Sequence, residues 1–190
     1  NQTLAVADAA ADDDAYFDLM YVDMHPEQLK GAHLFLGKMP QPWLDRTGLI
    51  WDGDLNPEGL ALTYEKQIDS VKWMANAGTF IIEENRGDDI QLWSGQVAGE
   101  TKIGSTTVRA GVSDFYFENA DNQALGTGAN TAGTDFHLIE GFGSVGMTLG
   151  LPVALNGQYA VNVDAADSAE DTAYLIGITV GKAKDKGTWK

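Results

Sequence analysis

Residues 141–163 place the strongest constraint on the fold, because apolar and polar residues alternate through them in two consecutive runs. In the second run, every second residue from Val153 to Val163 is apolar, aromatic or glycine. Between the two runs, Gly150-Leu-Pro152 has the composition of a turn. Side chains of a β-strand point alternately to its two faces. The sequence therefore predicts a β-hairpin with one dry face and one hydrated, amide-rich face.

The same alternation recurs along the rest of the chain. It is clearest in residues 60–65, 90–104 and 106–117, and turn-forming residues separate these stretches from their neighbours. We count about nine strands and a turn at 184–187 that begins a tenth, with no convincing helix. The pattern predicts an all-β fold, an antiparallel up-and-down meander that occupies residues 1–190 as a single segment.

Composition excludes several classes of function. The net charge of the 190 residues is −16, so the chain lacks the basic surface that binds nucleic acid. It contains no cysteine, which excludes disulfides, thiolate metal sites and cysteine nucleophiles. No stretch approaches the roughly 18 continuous apolar residues of a membrane-spanning helix.

Two architectures are compatible with such strands. In a soluble β-sandwich or barrel the apolar face packs inward, whereas in an outer-membrane barrel it points outward to lipid and the polar face lines water. The strands are about ten residues long, as tilted transmembrane strands are. Aromatic residues lie near the strand ends, and short turns alternate with longer acidic connections. These features favour part of a transmembrane β-barrel, with the soluble β-sandwich or barrel as the alternative. The aromatic positions are Tyr16, Trp73, Trp93, Phe115, Tyr116, Phe117 and Tyr174.

The polar face supplies the residues expected to line a water-filled path. The strand candidates are Glu65, Gln96, Glu100, Lys102, Arg109, Glu140, Asn156, Gln158 and Asn162. The loop candidates are Arg46, Asp52, Asp54 and Glu58. Fixed acidic groups concentrate cations, so we expect weak cation selectivity. Arg46, Lys102 and Arg109 facing Glu65 and Glu100 would create a transverse field at a constriction.

The segment 41–59 reads as one long functional loop, rich in Gly, Pro, Asn and Asp. Asp52, Asp54, Asn56 and Glu58 alternate as oxygen ligands do in calcium loops, but the full twelve-residue frame is missing. Two other interpretations remain open: a structural turn held by Asp and Asn side chains, and a loop that folds into the pore.

Two motifs in this region carry a resemblance. The run Gly37-Lys-Met-Pro-Gln-Pro-Trp43 precedes Trp51-Asp-Gly-Asp-Leu-Asn-Pro-Glu-Gly59. This order resembles the "putative porin" family of Gram-negative bacteria, in which a G-K-M-P-x-P-[FW] stretch precedes a W-D-x-D-L-N-P-E-G loop. Residues 93–96 and 110–117 also resemble strands of that family, so the resemblance covers most of the chain.

The resemblance implies a channel for passive diffusion in the outer membrane, without enzymatic activity or cofactor. Its implied partners are the lipid bilayer and small hydrophilic solutes. The chain is shorter than members of that family, and a bacterial barrel needs an even number of strands. We therefore expect a fragment of a larger barrel, closed by another segment or by the assembly of several copies, as in a homo-oligomer.

Other functions have weaker support in the sequence. A soluble carbohydrate-binding sandwich would use Trp43, Trp51 and Trp93 as stacking platforms, and a structural or adhesive surface protein would use open sheet edges. Glu83 or Glu84 with Glu140 would be the glycosidase carboxylates, although nothing marks one of them as buried. The histidines have no mutual spacing that indicates a metal site; they are His25, His33 and His137.

Overall fold

The computed structural model describes residues 17–44, 48–84, 89–120, 136–165 and 171–181. They form one nine-stranded antiparallel sheet in which each strand pairs with its neighbours in sequence. The strands are β1 (Met20–Met24), β2 (Ala32–Lys38), β3 (Glu58–Ile68), β4 (Val71–Glu83), β5 (Ile90–Ile103), β6 (Thr106–Glu118), β7 (Phe136–Leu149), β8 (Leu151–Asn162) and β9 (Thr172–Val180). Within the described ranges, no helix is long and apolar enough to cross a membrane.

The all-β antiparallel meander predicted from the alternation is confirmed. The predicted hairpin is β7 with β8, in which Met147 pairs with Val153, and Gly150 adopts a φ of 78° that favours glycine. Nine strands are described, and the tenth expected after residue 184 lies outside the described ranges. Among the described strands β1 and β9 do not pair, so the sheet is open and closure into a barrel is not seen.

The connections at the two ends of the sheet differ in length. At one end, which we call the turn end, tight turns at Asp69-Ser70, Gly104-Ser105 and Gly150 join β3 to β4, β5 to β6 and β7 to β8. At the other end, the loop end, residues 39–57 and 119–135 are the longest connections. The expected alternation of short and long connections is thereby confirmed.

The two faces of the sheet have different environments. One face includes Ser94, Gln96 and Ala98 of β5 and their cross-strand partners, and many of its side chains are buried. We call it the loop face, because the described part of the segment 39–57 packs on it. The opposite face, which we call the apolar face, includes Val97 and Val112, and many of its large side chains are exposed.

A hydrophobic cluster lies under the loop at the loop end of the sheet. Its centre is formed by Trp43, Phe80 and Phe115, each at most 1% exposed. The other buried members are Met39, Trp51, Ala61, Ile90, Leu92, Phe117 and Ala120. The sequence placed Phe115 and Phe117 among the strand-end aromatic residues of a transmembrane barrel; an outward position is wrong for these two, because they belong to the buried cluster. They alternate with Tyr116, so the strand directs them to the loop face and Tyr116 to the apolar face.

Candidate functional site

The described part of the segment 39–57, which we call the loop, is held on the loop face by ring stacking and by hydrogen bonds to side chains of β4 and β5. The Trp43 ring stacks on Trp51 with ring centroids 4.1 Å apart, and its Nε1 donates to Ser94 Oγ at 3.1 Å. The Leu44 backbone N–H donates to Gln96 Oε1 at 2.9 Å, and Asn76 Nδ2 donates to the Pro42 carbonyl at 2.7 Å. Because both backbone and side chains are bound, the described part of this loop is a fixed layer over the sheet.

Beneath the loop, a chain of buried polar side chains crosses the sheet from β4 to β8. Asn76, Gln96, Ser113 and Glu140 occupy one cross-strand row, because each pairs in register with the next. Gln96 Nε2 donates to Ser113 Oγ at 2.8 Å, and Ser113 Oγ donates to Glu140 Oε2 at 2.5 Å. Gln158 Nε2 donates to the other oxygen of Glu140. Burial of polar groups is costly unless they are hydrogen-bonded, and here the bonds run from side chain to side chain.

Glu140 is the one acidic residue of this row, and only 2% of its surface is exposed. Its two carboxylate oxygens accept hydrogen bonds from Ser113 and Gln158. The row lies on the loop face and meets the loop through Gln96 and Asn76. Glu140 is therefore a structural acceptor that connects three strands.

Towards the turn end, the loop face carries charged side chains that reach solvent. Arg109 Nη2 lies 2.6 Å from Glu100 Oε2, and Lys72 Nζ lies 2.7 Å from Glu65 Oε2. Every side chain in these two pairs is more than 20% exposed. The sequence predicted that Arg109 would face Glu100, and the structure pairs them; Glu65 is paired with Lys72 instead. This part of the face presents both signs of charge to water.

Most of the candidate pore-lining residues share one face. The strand register and the alternation place these nine on the loop face: Glu65, Gln96, Glu100, Lys102, Arg109, Glu140, Asn156, Gln158 and Asn162. Four of them are buried and cannot contact a solute in this arrangement: Gln96, Glu140, Gln158 and Asn162. Glu58 pairs with Ile81 and falls on the side of the apolar face. Asp52 and Asp54 are exposed in the loop, and Arg46 lies outside the described residues.

Two of the four calcium candidates, Asp52 and Asn56, take part in local hydrogen bonds through their side chains. Asp52 Oδ1 accepts from the Asp54 backbone N–H at 3.2 Å, and its carbonyl accepts from the Leu55 N–H at 3.2 Å. Asn56 Nδ2 donates to Asp18 Oδ1 at 2.7 Å. The carboxylates of Asp52, Asp54 and Glu58 do not converge into a group of three. The geometry agrees with a turn held by Asp and Asn side chains.

The three tryptophans proposed as stacking platforms do not form one surface. Trp43 and Trp51 are buried and stack on each other, so neither ring can stack on a sugar. Trp93 lies on the apolar face and is 48% exposed. Its Nε1 donates to Glu118 Oε2 at 3.0 Å at the loop end. The arrangement gives no support to a three-tryptophan carbohydrate platform.

One cluster was missed by the sequence reasoning. His25 and His33 flank the connection between β1 and β2, and their ring centroids are 4.2 Å apart, with Asp23 bonded to both. Together with Asp23, the two histidines form the single group of three potential metal ligands whose atoms converge in the described part of the chain. The signal in the sequence was the hairpin itself, since residues equally distant from a turn become cross-strand neighbours.

A family model described as "Putative porin" matches residues 1–140, which is most of the chain. No match was found among curated proteins or among solved structures.

Proposed function

The chain belongs to the family described as "Putative porin", and from that premise we propose that its sheet is part of an outer-membrane channel. Small hydrophilic solutes would diffuse through it passively, with no enzymatic step and no cofactor. The single observation that carries the proposal is the contrast between the two faces of one continuous sheet. Soluble proteins rarely expose a broad apolar face to water, whereas the lipid of a bilayer covers such a face.

The apolar face supports contact with lipid. Its exposed side chains run across the sheet from Leu62 in β3 to Ile178 in β9. Leu62 is 41% exposed, and Ile176 in β9 is 77% exposed. Antiparallel pairing satisfies the backbone groups of the inner strands, as a bilayer requires. Trp93 and Tyr116, which pair with each other, lie near the loop end of this face, where an interfacial belt of aromatic residues would meet the headgroups.

The loop face would then border the water-filled path. Its uncovered part carries Glu100, Arg109 and Asn156, and the net charge of the whole chain is −16. An acidic protein raises the local concentration of cations, which supports weak cation selectivity. The loop that covers the other part of this face would narrow the path, because its tryptophans and backbone are bound to the sheet.

Closure of the channel is part of the proposal. β1 and β9 each have one edge without a partner among the described strands, and unpaired edges are not tolerated in the hydrocarbon region. Further strands must therefore pair with both edges, either from a longer polypeptide or from other copies of this chain.

The experiment is conductance across planar lipid bilayers, with the purified chain reconstituted at rising concentrations. Trp43→Ala removes the ring that stacks on Trp51, so the loop should loosen and single-channel conductance should increase. Trp93→Ala is the matched control, because it removes the same side chain from the apolar face and leaves the path unchanged.

Absence of conductance at every protein concentration, with the chain folded in lipid, would contradict a channel formed by copies of this chain. Equal conductance in Trp43→Ala and the unchanged protein would contradict the narrowing role of the loop. Circular dichroism in the same lipid checks that both variants keep their β-structure.

A further inference from the structure

The hairpin of β1 and β2 brings together two histidines and an aspartate on the loop face. Asp23 pairs in register with Phe35 in β2, and His25 continues the strand one pair beyond Met24 and Leu34. Alternation places Asp23, His25 and His33 on the same side. His33 is held in orientation by Phe35, whose ring stacks on it at 5.8 Å and 11°.

The distances within this cluster match those of a metal centre. His25 Nε2 lies 3.1 Å from Asp23 Oδ2, and His33 Nδ1 lies 3.2 Å from Asp23 Oδ1. One ligand atom from each residue lies within 4.8 Å of the other two. In a tetrahedral zinc site with bonds of about 2.0–2.1 Å, ligand atoms are about 3.3 Å apart. An ion could therefore sit between the two imidazoles and the carboxylate after small shifts of these side chains.

We propose that Asp23, His25 and His33 form a binding site for one divalent transition-metal ion, with zinc as the expected occupant. Two imidazole nitrogens and one carboxylate oxygen are ligands that favour zinc and its neighbours over calcium or magnesium. A fourth position stays open to water, since His25 is 61% exposed at its side chain. The excess of acidic residues attracts cations to the protein.

The ion would connect the outermost described strand to the rest of the sheet. β1 has five residues, all exposed, and in the described structure it pairs with β2 alone. Asp23 belongs to β1 and His25 directly follows its last residue, whereas His33 belongs to β2. A metal ion bound to both strands would fix this edge of the sheet. This inference does not depend on whether the protein conducts.

The test uses the full chain in detergent or lipid, with any affinity tag removed, and zinc ions alone as the probe. Isothermal titration should show one zinc ion per chain. His25→Ala and His33→Ala should each weaken binding by at least roughly tenfold, because loss of a partner that merely supports a ligand already costs about 10- to 100-fold.

His137→Ala is the matched control. His137 also lies between two carboxylates, with Nε2 2.9 Å from Asp114 and Nδ1 3.7 Å from Asp164. Its two ring nitrogens address different acids and cannot bind one ion together. Removal of this imidazole should leave the affinity for zinc unchanged.

X-ray absorption at the zinc edge of the unchanged protein provides a measurement that needs no variant. The proposal requires two imidazole nitrogens at about 2.0–2.1 Å. It is overturned if zinc does not bind, if His25→Ala and His33→Ala bind it as tightly as the unchanged chain, or if the spectrum shows oxygen ligands only.

Discussion

Arg109 illustrates how one residue sets the electrostatics of the uncovered part of the loop face. Its guanidinium donates through both Nε and Nη2 to Glu100 Oε2, at 2.9 and 2.6 Å. Both side chains are partly exposed, so the bond contributes little to stability and its effect is mainly on the field felt by ions in water. The pair is close to neutral as it stands, and the acidic excess of the chain prevails around it.

We expect Arg109→Gln to increase cation selectivity in planar bilayers. The substitution leaves the Glu100 carboxylate without its neutralising partner beside the path. A unit charge acting across about 8 Å of water changes the cation-to-anion permeability ratio by roughly two- to fivefold before salt screens it. The reversal potential in a salt gradient measures this shift, which should shrink as the ionic strength rises.

Lys66→Gln is the matched control, because it removes one positive charge at a position that alternates onto the apolar face. The two variants have equal net charge, so a difference between them reports the location of the charge. The same reversal potential for Arg109→Gln, Lys66→Gln and the unchanged chain would place Arg109 away from the path.

At the level of elements, β5, β6 and β7 come together at Gly111. A side chain built on Gly111 would place its first carbon 2.4 Å from the ring of Phe142 and 2.7 Å from the Ala98 side chain. Ala98 and Phe142 are buried together with Met74, and Leu44 of the loop packs on them. Glycine is therefore required here by the close packing of three strands under the loop.

Gly111→Val should destabilise the sheet by about 1–3 kcal/mol, the usual cost of additional atoms in a filled core. Gly141→Val is the matched control, since nothing lies within 4 Å of the corresponding position on Gly141 and valine is favoured in strands. Urea titration in lipid vesicles gives both free energies of unfolding. Equal values for the two variants would contradict the close packing at Gly111.

The sequence predicts the strands and their two faces better than it predicts which side chains the loop covers, and the reason is physical. Alternation is local, so the order of residues in β5 and β8 is enough to predict which side chains share a face. The covering of Gln96 and Glu140 depends on where the loop docks, and the contact of Leu44 with Gln96 joins residues 52 positions apart. No local pattern contains that information. The motif around Trp43 and Trp51 marked the loop as distinctive, although its stacked rings could not be foreseen.

The His25–His33 pair lies between these two cases. The turn between β1 and β2 is not a standard two-residue hairpin, so the register that places His25 beside His33 was not fixed by local turn chemistry. A search for ligand-forming residues on both sides of each predicted turn would have found it. Its interpretation still needs the side-chain geometry, because only the distances distinguish a converging group from two neighbouring residues.

For the whole molecule, a test of the membrane proposal compares positions on the apolar face that lie at different distances from the turn end of the sheet. Val97 lies near the middle of β5 and Ile103 at its turn end, and both belong to the apolar face. They are 51% and 68% exposed, so no other part of the described chain packs closely over either side chain. If a bilayer covers this face, the two positions differ in depth, although they share a strand and a face and both are more than half exposed.

We therefore expect Val97→Arg to lower the free energy of unfolding in lipid vesicles by about 2–4 kcal/mol, and Ile103→Arg by about 0–1 kcal/mol. A charge at the bilayer midplane loses its hydration, whereas near the interface it reaches water and headgroups. The measurement is denaturant titration of both variants in vesicles. Equal costs at the two positions would show that the apolar face does not span a membrane, since no depth gradient acts on a face in a uniform solvent.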